Sequence, residues 1–544
     1  MQNTPAMDTY ADSETPGTPA AGPAAPAPDV VVVGGTLTAW IAAARLAAAF
    51  TGTVRVTVLE TPHRPASQVT SLAPAVQRAL FDPLGVSEDV WMRASDASFS
   101  AAVKYAHRPT PDTHVYIPHS PSVPSCEGFP LSDAWALDRA LGRTVEPLDH
   151  ACFREPPLMD AKKSPRWLDG RAAIPYGWHA DATMLTHFLR RKAVRTKGVR
   201  LLTGDLLGAL RDTDGTVTAL RTTRGILTGG LFLDCTGEDR LLIEGLLAEP
   251  FVDAGDRVPT DSSVTLTVPH DSALHGVEPY TTATGLPDAG WTWRRPLLGR
   301  YGTGLAYASA RTTPDEATRT LLATLAPHES AAPTVTHTRH RPGRPRRAWV
   351  NNCVALGAAA GFTDPFAEDH ADTLELLDRL VRDFPSPGGP QSSGRPQSPG
   401  GPQAPGGPQS PAARFNQAAA ALHERALDLV RLRHPYRHAL PLSDTARAAV
   451  EAHRAGLSPT PDELPLRTLL SALAPRTATP PPPPALARHP RALLAAESHF
   501  ARIKRHQQTL LETLPDAHTY LTRLHDADAA GRGSSRQPQE RAAR

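Results

Sequence analysis

Lys104, set in Ala101-Ala-Val-Lys-Tyr105, has surroundings that suit chemistry. An ammonium among apolar neighbours can donate a hydrogen bond to a bound reactant, or lose its proton and become nucleophilic. The same pattern suits a lysine that snorkels from an amphipathic strand. A second constellation is Gly290-Trp291-Thr292-Trp293-Arg294-Arg295-Pro296. On a strand, Trp291 and Trp293 share a face, and the arginines and proline after them suit the wall of a cavity. A pair of core tryptophans near a turn is the other reading. The segment Thr363-Asp364-Pro365-Phe366-Ala367-Glu368-Asp369-His370 gathers carboxylates, and the adjacent pair Glu368 and Asp369 should repel an anion.

A dinucleotide-binding loop needs glycines for a tight turn, for close approach of backbone to pyrophosphate, and for close packing of helix on strand. The loop here reads Val33-Gly34-Gly35-Thr36-Leu37-Thr38-Ala39-Trp40. Gly34 fills the first role and Ala39 can serve the third. Thr36 stands where the second glycine belongs, with a β-branched side chain expected to point at the pyrophosphate. Glu60, at the end of the following strand, is placed to accept hydrogen bonds from a ribose. By itself the loop suits a nucleotide site or a plain βαβ turn equally well.

Other clusters carry less. His434 and His438 have the spacing of a helical ligand pair, but Pro435 between them makes it a poor one, so no metal site is expected. The basic run Arg339-His-Arg-Pro-Gly-Arg-Pro-Arg-Arg347 reads as a solvated turn ahead of an anion or nucleic-acid patch. A net charge of +2 gives no broad basic field for nucleic acid or a membrane surface. Cys126, Cys152, Cys235 and Cys353 are widely scattered, which suits reduced, buried thiols in a cytoplasmic protein.

These residues need a frame. Asp29–Val33 reads as a buried parallel strand, followed by a helix from about Thr38 to Phe50 and a strand Val54–Leu59 ending on Glu60: a βαβ unit. Segments 198–202, 217–221 and 230–234 supply further strands, with a turn at Asp212–Gly215. Residues 1–28 lack a basic start and an apolar stretch, and read as a disordered tail instead of a signal peptide. Residues 29–384 form the α/β body, with substrate-side segments inserted. Residues 385–412, with repeated Gly-Gly-Pro-Gln, form a low-complexity surface loop. A mostly helical region follows at 413–530, with helices over Phe415–Val430 and roughly His489–Asp526, before a polar tail at 531–544.

The tryptophan segment resembles the W-x-W-x-I-P region of flavin-dependent tryptophan halogenases, with Arg295 where that family has an apolar residue. The likeness extends to Val33–Trp40 (G-G-G-T-A-G-W in the family), to Asp234-Cys235-Thr236-Gly237 (D-C-S-G), and to Ala348-Trp349-Val-Asn-Asn-Cys353 with Gly357 and Gly361 beyond it. It covers roughly residues 29 to 435 and includes Phe99–Tyr105. The resemblance implies a Rossmann-like, FAD-binding α/β fold of the flavoprotein monooxygenase and halogenase type. It implies FAD held near Gly34, Gly35, Ala39, Trp40, Glu60, Asp234, Gly237, Gly357, Gly361 and Asp364, and reduced by a separate flavin reductase. It also implies a hypohalous acid that passes through a tunnel from the flavin to Lys104, which relays it to an electron-rich aromatic, tryptophan-like or part of a natural-product or peptide intermediate, in a cavity walled by Trp291, Trp293 and Arg295. Against that pattern, Ala367 occupies the position of the family's partner glutamate and Glu368 stands one residue late. The family's G-x-G-E-A-T-[IV]-P loop survives only as Gln68–Pro74. These departures keep open a flavin monooxygenase, and a homologue that serves as a binding or accessory protein.

Overall fold

The computed structural model describes residues 29–62, 69–107, 110–119, 123–286, 290–325, 334–366, 370–384, 410–433, 442–455, 457, 482 and 484–533. Strand β1 (Asp29–Val33) is the centre of a six-stranded sheet. Its valines alternate between two cores: Val30 and Val32 face one, Val31 and Val33 the other. An uninterrupted apolar run is what a parallel strand covered on both faces requires. Helix α1 (Leu37–Ala49) returns the chain to β2 (Arg55–Glu60), which pairs parallel with β1. The sheet runs Arg200–Thr203, β2, β1, Leu231–Asp234 and Cys353–Ala355, all parallel, and closes on the antiparallel edge Trp349–Val350. Alanines at 39, 42, 43 and 44 let α1 sit close to this sheet, and Trp40 is fully buried among them.

Strands β3 (Val69–Leu72) and β4 (Ser98–Ser100) flank Gly177–Asp181 in a small antiparallel sheet. Strands β5 (Ala102–His107) and β6 (Thr110–Pro118) close one side of a seven-stranded sheet. From β5 that sheet continues through Tyr280–Leu286, Gly290–Pro296, Arg300–Tyr307 and Ser262–Pro269 to Thr336–Arg339. Its register fixes a division that matters below. Lys104 lies level with Tyr116, Thr282 and Arg294, whereas its neighbour Tyr105 lies level with Ala283 and Trp293. Successive residues of a strand face opposite sides, so Lys104 and the tryptophans occupy opposite faces of the sheet.

The later helices are docked by polar clasps as well as by apolar packing. Asn416, on the helix Pro411–Arg433, accepts from the Trp349 amide and donates to the Trp349 carbonyl, pinning that helix to the sheet edge. The helix therefore begins inside the stretch expected to be loop; residues 385–409 lie outside the described residues, as do the tails 1–28 and 534–544. The last helical segment is two helices, Pro490–Thr513 and Ala517–Gly533. Pro515 cannot continue the first helix, and its carbonyl instead accepts from the Ser164 amide. The second helix reaches Gly533, three residues into the expected tail.

Candidate functional site

Gly34 ends β1 with φ +130°, and a Cβ there would stand 2.4 Å from the Cys235 carbonyl oxygen. Only glycine allows this turn to press against the neighbouring strand end. Thr36 does not point outward as its position in the motif suggests. Its hydroxyl donates to the Cys235 carbonyl at 3.0 Å and accepts from the Ala39 amide as the N-cap of α1. The loop has thus replaced a glycine with a cap that ties it to the adjacent strand. Asp234 also serves structure: its buried carboxylate accepts from the Thr236 amide and hydroxyl and from the amides of Leu242 and Ile243, so it anchors the turn instead of facing a ligand. Glu60 faces Arg190 at 3.4 Å, and neither it nor the buried Gly35 is part of the cleft wall, while Ala39 and Trp40 are buried in the core.

A cleft of about 300 Å³ opens at the C-terminal ends of β1 and Leu231–Asp234, the place where doubly wound sheets bind nucleotides. Thr36, Leu37 and Thr38 bring the start of α1 to its wall, and Gly237, Gly357, Gly361, Asp364 and Trp293 line it as well. A Cβ on Gly357 would lie 2.8 Å from the Thr38 side chain, so glycine lets that side chain pack directly on the backbone at 357. The wall carries Glu238, Asp239, Asp364 and Asp372 with His340, His370 and His423, but no lysine or arginine among the described residues. Burial and the charge of Arg344 push His423 down to about 4, so its ring is neutral at pH 7.

FAD is the group this fold implies. The thirteen-residue helix α1 places the positive end of its dipole on the cleft, which suits a pyrophosphate. The residues present fit the nucleotide part of that cofactor.

Trp293 lines the cleft at 2 % exposure, its ring laid across Gly304 and 6.3 Å from Phe366. Trp291 shares that face but packs edge-on against Tyr105, 6.0 Å away, behind the wall. Arg295 is 2 % exposed, and its guanidinium donates to the carbonyls of Val69 at 3.2 Å and Phe366 at 2.8 Å. It clasps the backbone of two wall segments. Lys104 is on the other face: its ammonium lies 5.4 Å from the Tyr116 ring and 5.8 Å from that of Tyr280. Burial lowers its pKa, with Asp160 and Glu278 opposing. The structure therefore does not bring Lys104 together with Trp293, Asp364 and the glycines on the cleft wall. Ala367, Glu368 and Asp369 lie outside the described residues; Pro365 and His370 on either side of them line the cleft.

One polar group at the wall gave no signal in sequence. Ser263, His340 and Glu238 meet there, with His340 2.8 Å from Ser263 and 2.7 Å from Glu238. His340 belongs to the basic run read as a solvated turn, yet it is 9 % exposed beside Phe362. Its partners are 77 and 102 residues away, so no local spacing could announce them. The described residues hold no cluster of ligating side chains fit for a metal, and no described helix is long and apolar enough to cross a membrane.

The family model for tryptophan halogenases matches residues 29–393. The chain is 36 % identical to tryptophan 6-halogenase ThaL of Streptomyces albogriseolus, across 92 % of this chain and 98 % of that one. It is 34 % identical to tryptophan 7-halogenase RebH of Lentzea aerocolonigenes, across 91 % and 98 %. Among solved structures it resembles Tar14, a tryptophan C-6 flavin-dependent halogenase from taromycin biosynthesis. That match has a TM-score of 0.79 and 29 % identity, and covers 91 % of this chain and 99 % of the other. The architecture is thus the Rossmann-like α/β fold of the flavin-dependent halogenases with a helical C-terminal region, and the chain belongs to the tryptophan halogenase family.

Proposed function

We propose that the cleft binds FAD, with the pyrophosphate at the start of α1 and reducing equivalents supplied by a separate flavin reductase. We further propose that this chain is a homologue in which the relay of hypohalous acid by Lys104 is lost, so that it serves its biosynthetic pathway by binding flavin and an aromatic ligand, without halogenating. The observation that carries this reading is Ala367 at the position of the family's partner glutamate, followed by Glu368 and Asp369, together with a described cleft wall that carries carboxylates and no lysine or arginine. Arg295, committed to two carbonyls, is not available to pair with an acidic substrate, which argues against a monooxygenase that relies on it.

A second reading keeps the oxidoreductase active as a halogenase of an electron-rich aromatic. It is favoured by the lowered pKa of Lys104, since a half-buried amine more readily becomes nucleophilic. One experiment separates the two. Purified protein is titrated with FAD by fluorescence, then given reductase, NADH, chloride or bromide, and tryptophan, and products are weighed. We expect FAD uptake, no halogenated product, and an FAD affinity that Lys104→Ala changes by less than about twofold, or under ~0.4 kcal/mol. Halogenated product that disappears in Lys104→Ala would restore the relay, and gain of oxygen without halogen would establish a monooxygenase. Failure of saturating FAD to bind would refute both readings.

A further inference from the structure

We propose that Ser263, His340 and Glu238 form a nucleophilic triad that gives the cleft a second, flavin-independent activity: hydrolysis of small carboxylic esters. Ser263 Oγ lies 2.8 Å from His340 Nε2, and His340 Nδ1 lies 2.7 Å from Glu238 Oε1. The other Glu238 oxygen accepts from the Arg341 amide at 2.8 Å. Burial opposes charge on Glu238, but the His340 hydrogen bond and charge, the Arg341 amide and the charge of Arg240 outweigh it and hold the carboxyl below its usual range. An ionised carboxylate only accepts, so Nδ1 carries the imidazole proton and Nε2 presents its lone pair to the serine hydroxyl. That is the polarity a general base needs to activate an alcohol.

The ring is held in place. Phe362 stacks on it at 4.8 Å with 17° between planes, and the His340 amide donates to the Asp261 carbonyl at 2.8 Å. The three residues come from the turn Gly237–Asp239, the strand Ser262–Pro269 and the end of the strand Thr336–Arg339, and all three border the cleft. Thr338 pairs directly opposite Ser263, and Thr265 stands two residues along the same strand. Both hydroxyl-bearing residues therefore share the Ser263 face and line the cleft, where they can donate to an oxyanion.

In the step assigned to this triad, Ser263 Oγ bonds to the ester carbonyl carbon as its proton passes to His340 Nε2. Collapse of the tetrahedral adduct breaks the bond to the alcohol oxygen, which takes the proton from His340. Water then attacks the acyl group by the same route, releasing the acid and restoring Ser263. No oxidant or reductant is consumed.

The test uses the full-length purified protein, in one arm stripped of flavin and in the other saturated with FAD, treated with diisopropyl fluorophosphate. A phosphorus–oxygen bond forms at Ser263 as fluoride leaves and His340 takes the proton, and the modified peptide is located by mass spectrometry. We expect an adduct on Ser263 in at least the flavin-free arm, none in Ser263→Ala, and a rate lower by about 100-fold in His340→Gln. Hydrolysis of p-nitrophenyl acetate should fall in parallel. Near-ultraviolet circular dichroism and the thermal transition establish that each variant is folded. No adduct on Ser263 in either arm of the folded wild type, or equal labelling in His340→Gln, overturns the proposal and makes the network structural only. The flavin-free arm tests the triad whether or not FAD binds.

Discussion

A guanidinium buried as deeply as that of Arg295 needs acceptors, and the two carbonyls it reaches belong to β3 and to the segment leading out of Asp364. Hydrogen bonds from a charged group contribute about 1.5–3 kcal/mol each. Arg295→Met should therefore destabilise by about 3 kcal/mol, since two buried carbonyls lose their donor, with urea unfolding as the measurement. Arg295→Lys should recover only part of that, because an ammonium cannot span both acceptors with a planar fork. Trp293→Ala should cost about 3–5 kcal/mol, the usual range for deleting a buried large aromatic. The shared face of Trp291 and Trp293 was legible from their spacing alone. That one lines the cleft and the other packs on Tyr105 was not, because it depends on what covers each end of the strand.

Among the elements, β1, α1 and β2 were readable from their short apolar runs and the glycines between them, with boundaries within a residue of those found. The role of Thr36 was not. A motif aligned on glycines marks a missing glycine, whereas the hydroxyl found a local use as the helix cap. Thr36→Ala should destabilise by about 1–2 kcal/mol by removing the cap and the tie to Cys235, as a shift of the urea midpoint would report. The C-terminal region shows the opposite case. Its helical period was plain, but Pro515 divides it, and the following Ala517, Tyr520, Leu521 and Leu524 join the main core. Helical periodicity identifies an apolar face without identifying the surface that buries it.

Across the whole molecule, buried histidines set the pH range of stability. Burial disfavours charge on His150, but hydrogen bonds to Asp149 and Asp160 outweigh it and push its pKa up to about 9 from 6.5. The folded state therefore holds that proton more tightly, and the stability it contributes is full below pH 6.5 and lost as pH rises through about 9. His179 and His423 act in the other sense. Burial, with Arg295 near the first and Arg344 near the second, pushes them down to about 3 and about 4. The unfolded chain then binds more protons, and their contribution is lost as pH falls below 6.5. Thermal unfolding scans should show a maximum near pH 6.5 with a fall on either side. His150→Gln should flatten the alkaline limb and leave the acid limb in place; an unchanged alkaline limb would remove His150 from the account.

At this scale the sequence alone determined the class of fold and the family, because strand alternation, helix period and turn glycines are local and leave a direct imprint on the order of residues. The resemblance also implied flavin contacts at Gly34, Gly35, Ala39, Trp40, Glu60, Asp234, Gly237, Gly357, Gly361 and Asp364 and a substrate cavity at Trp291, Trp293 and Arg295; of these the cleft wall carries Gly237, Gly357, Gly361, Asp364 and Trp293, whereas Gly34 and Asp234 hold turns and Glu60 faces Arg190. Tertiary structure decided the rest. A period of two says that Lys104 and Tyr105 face opposite ways, but only the pairing of β5 with Tyr280–Leu286, and of that strand with Gly290–Pro296, puts Tyr105 rather than Lys104 on the tryptophan side. Ser263, His340 and Glu238 meet for the same reason: sheet register and a turn bring together side chains that no spacing in the chain connects.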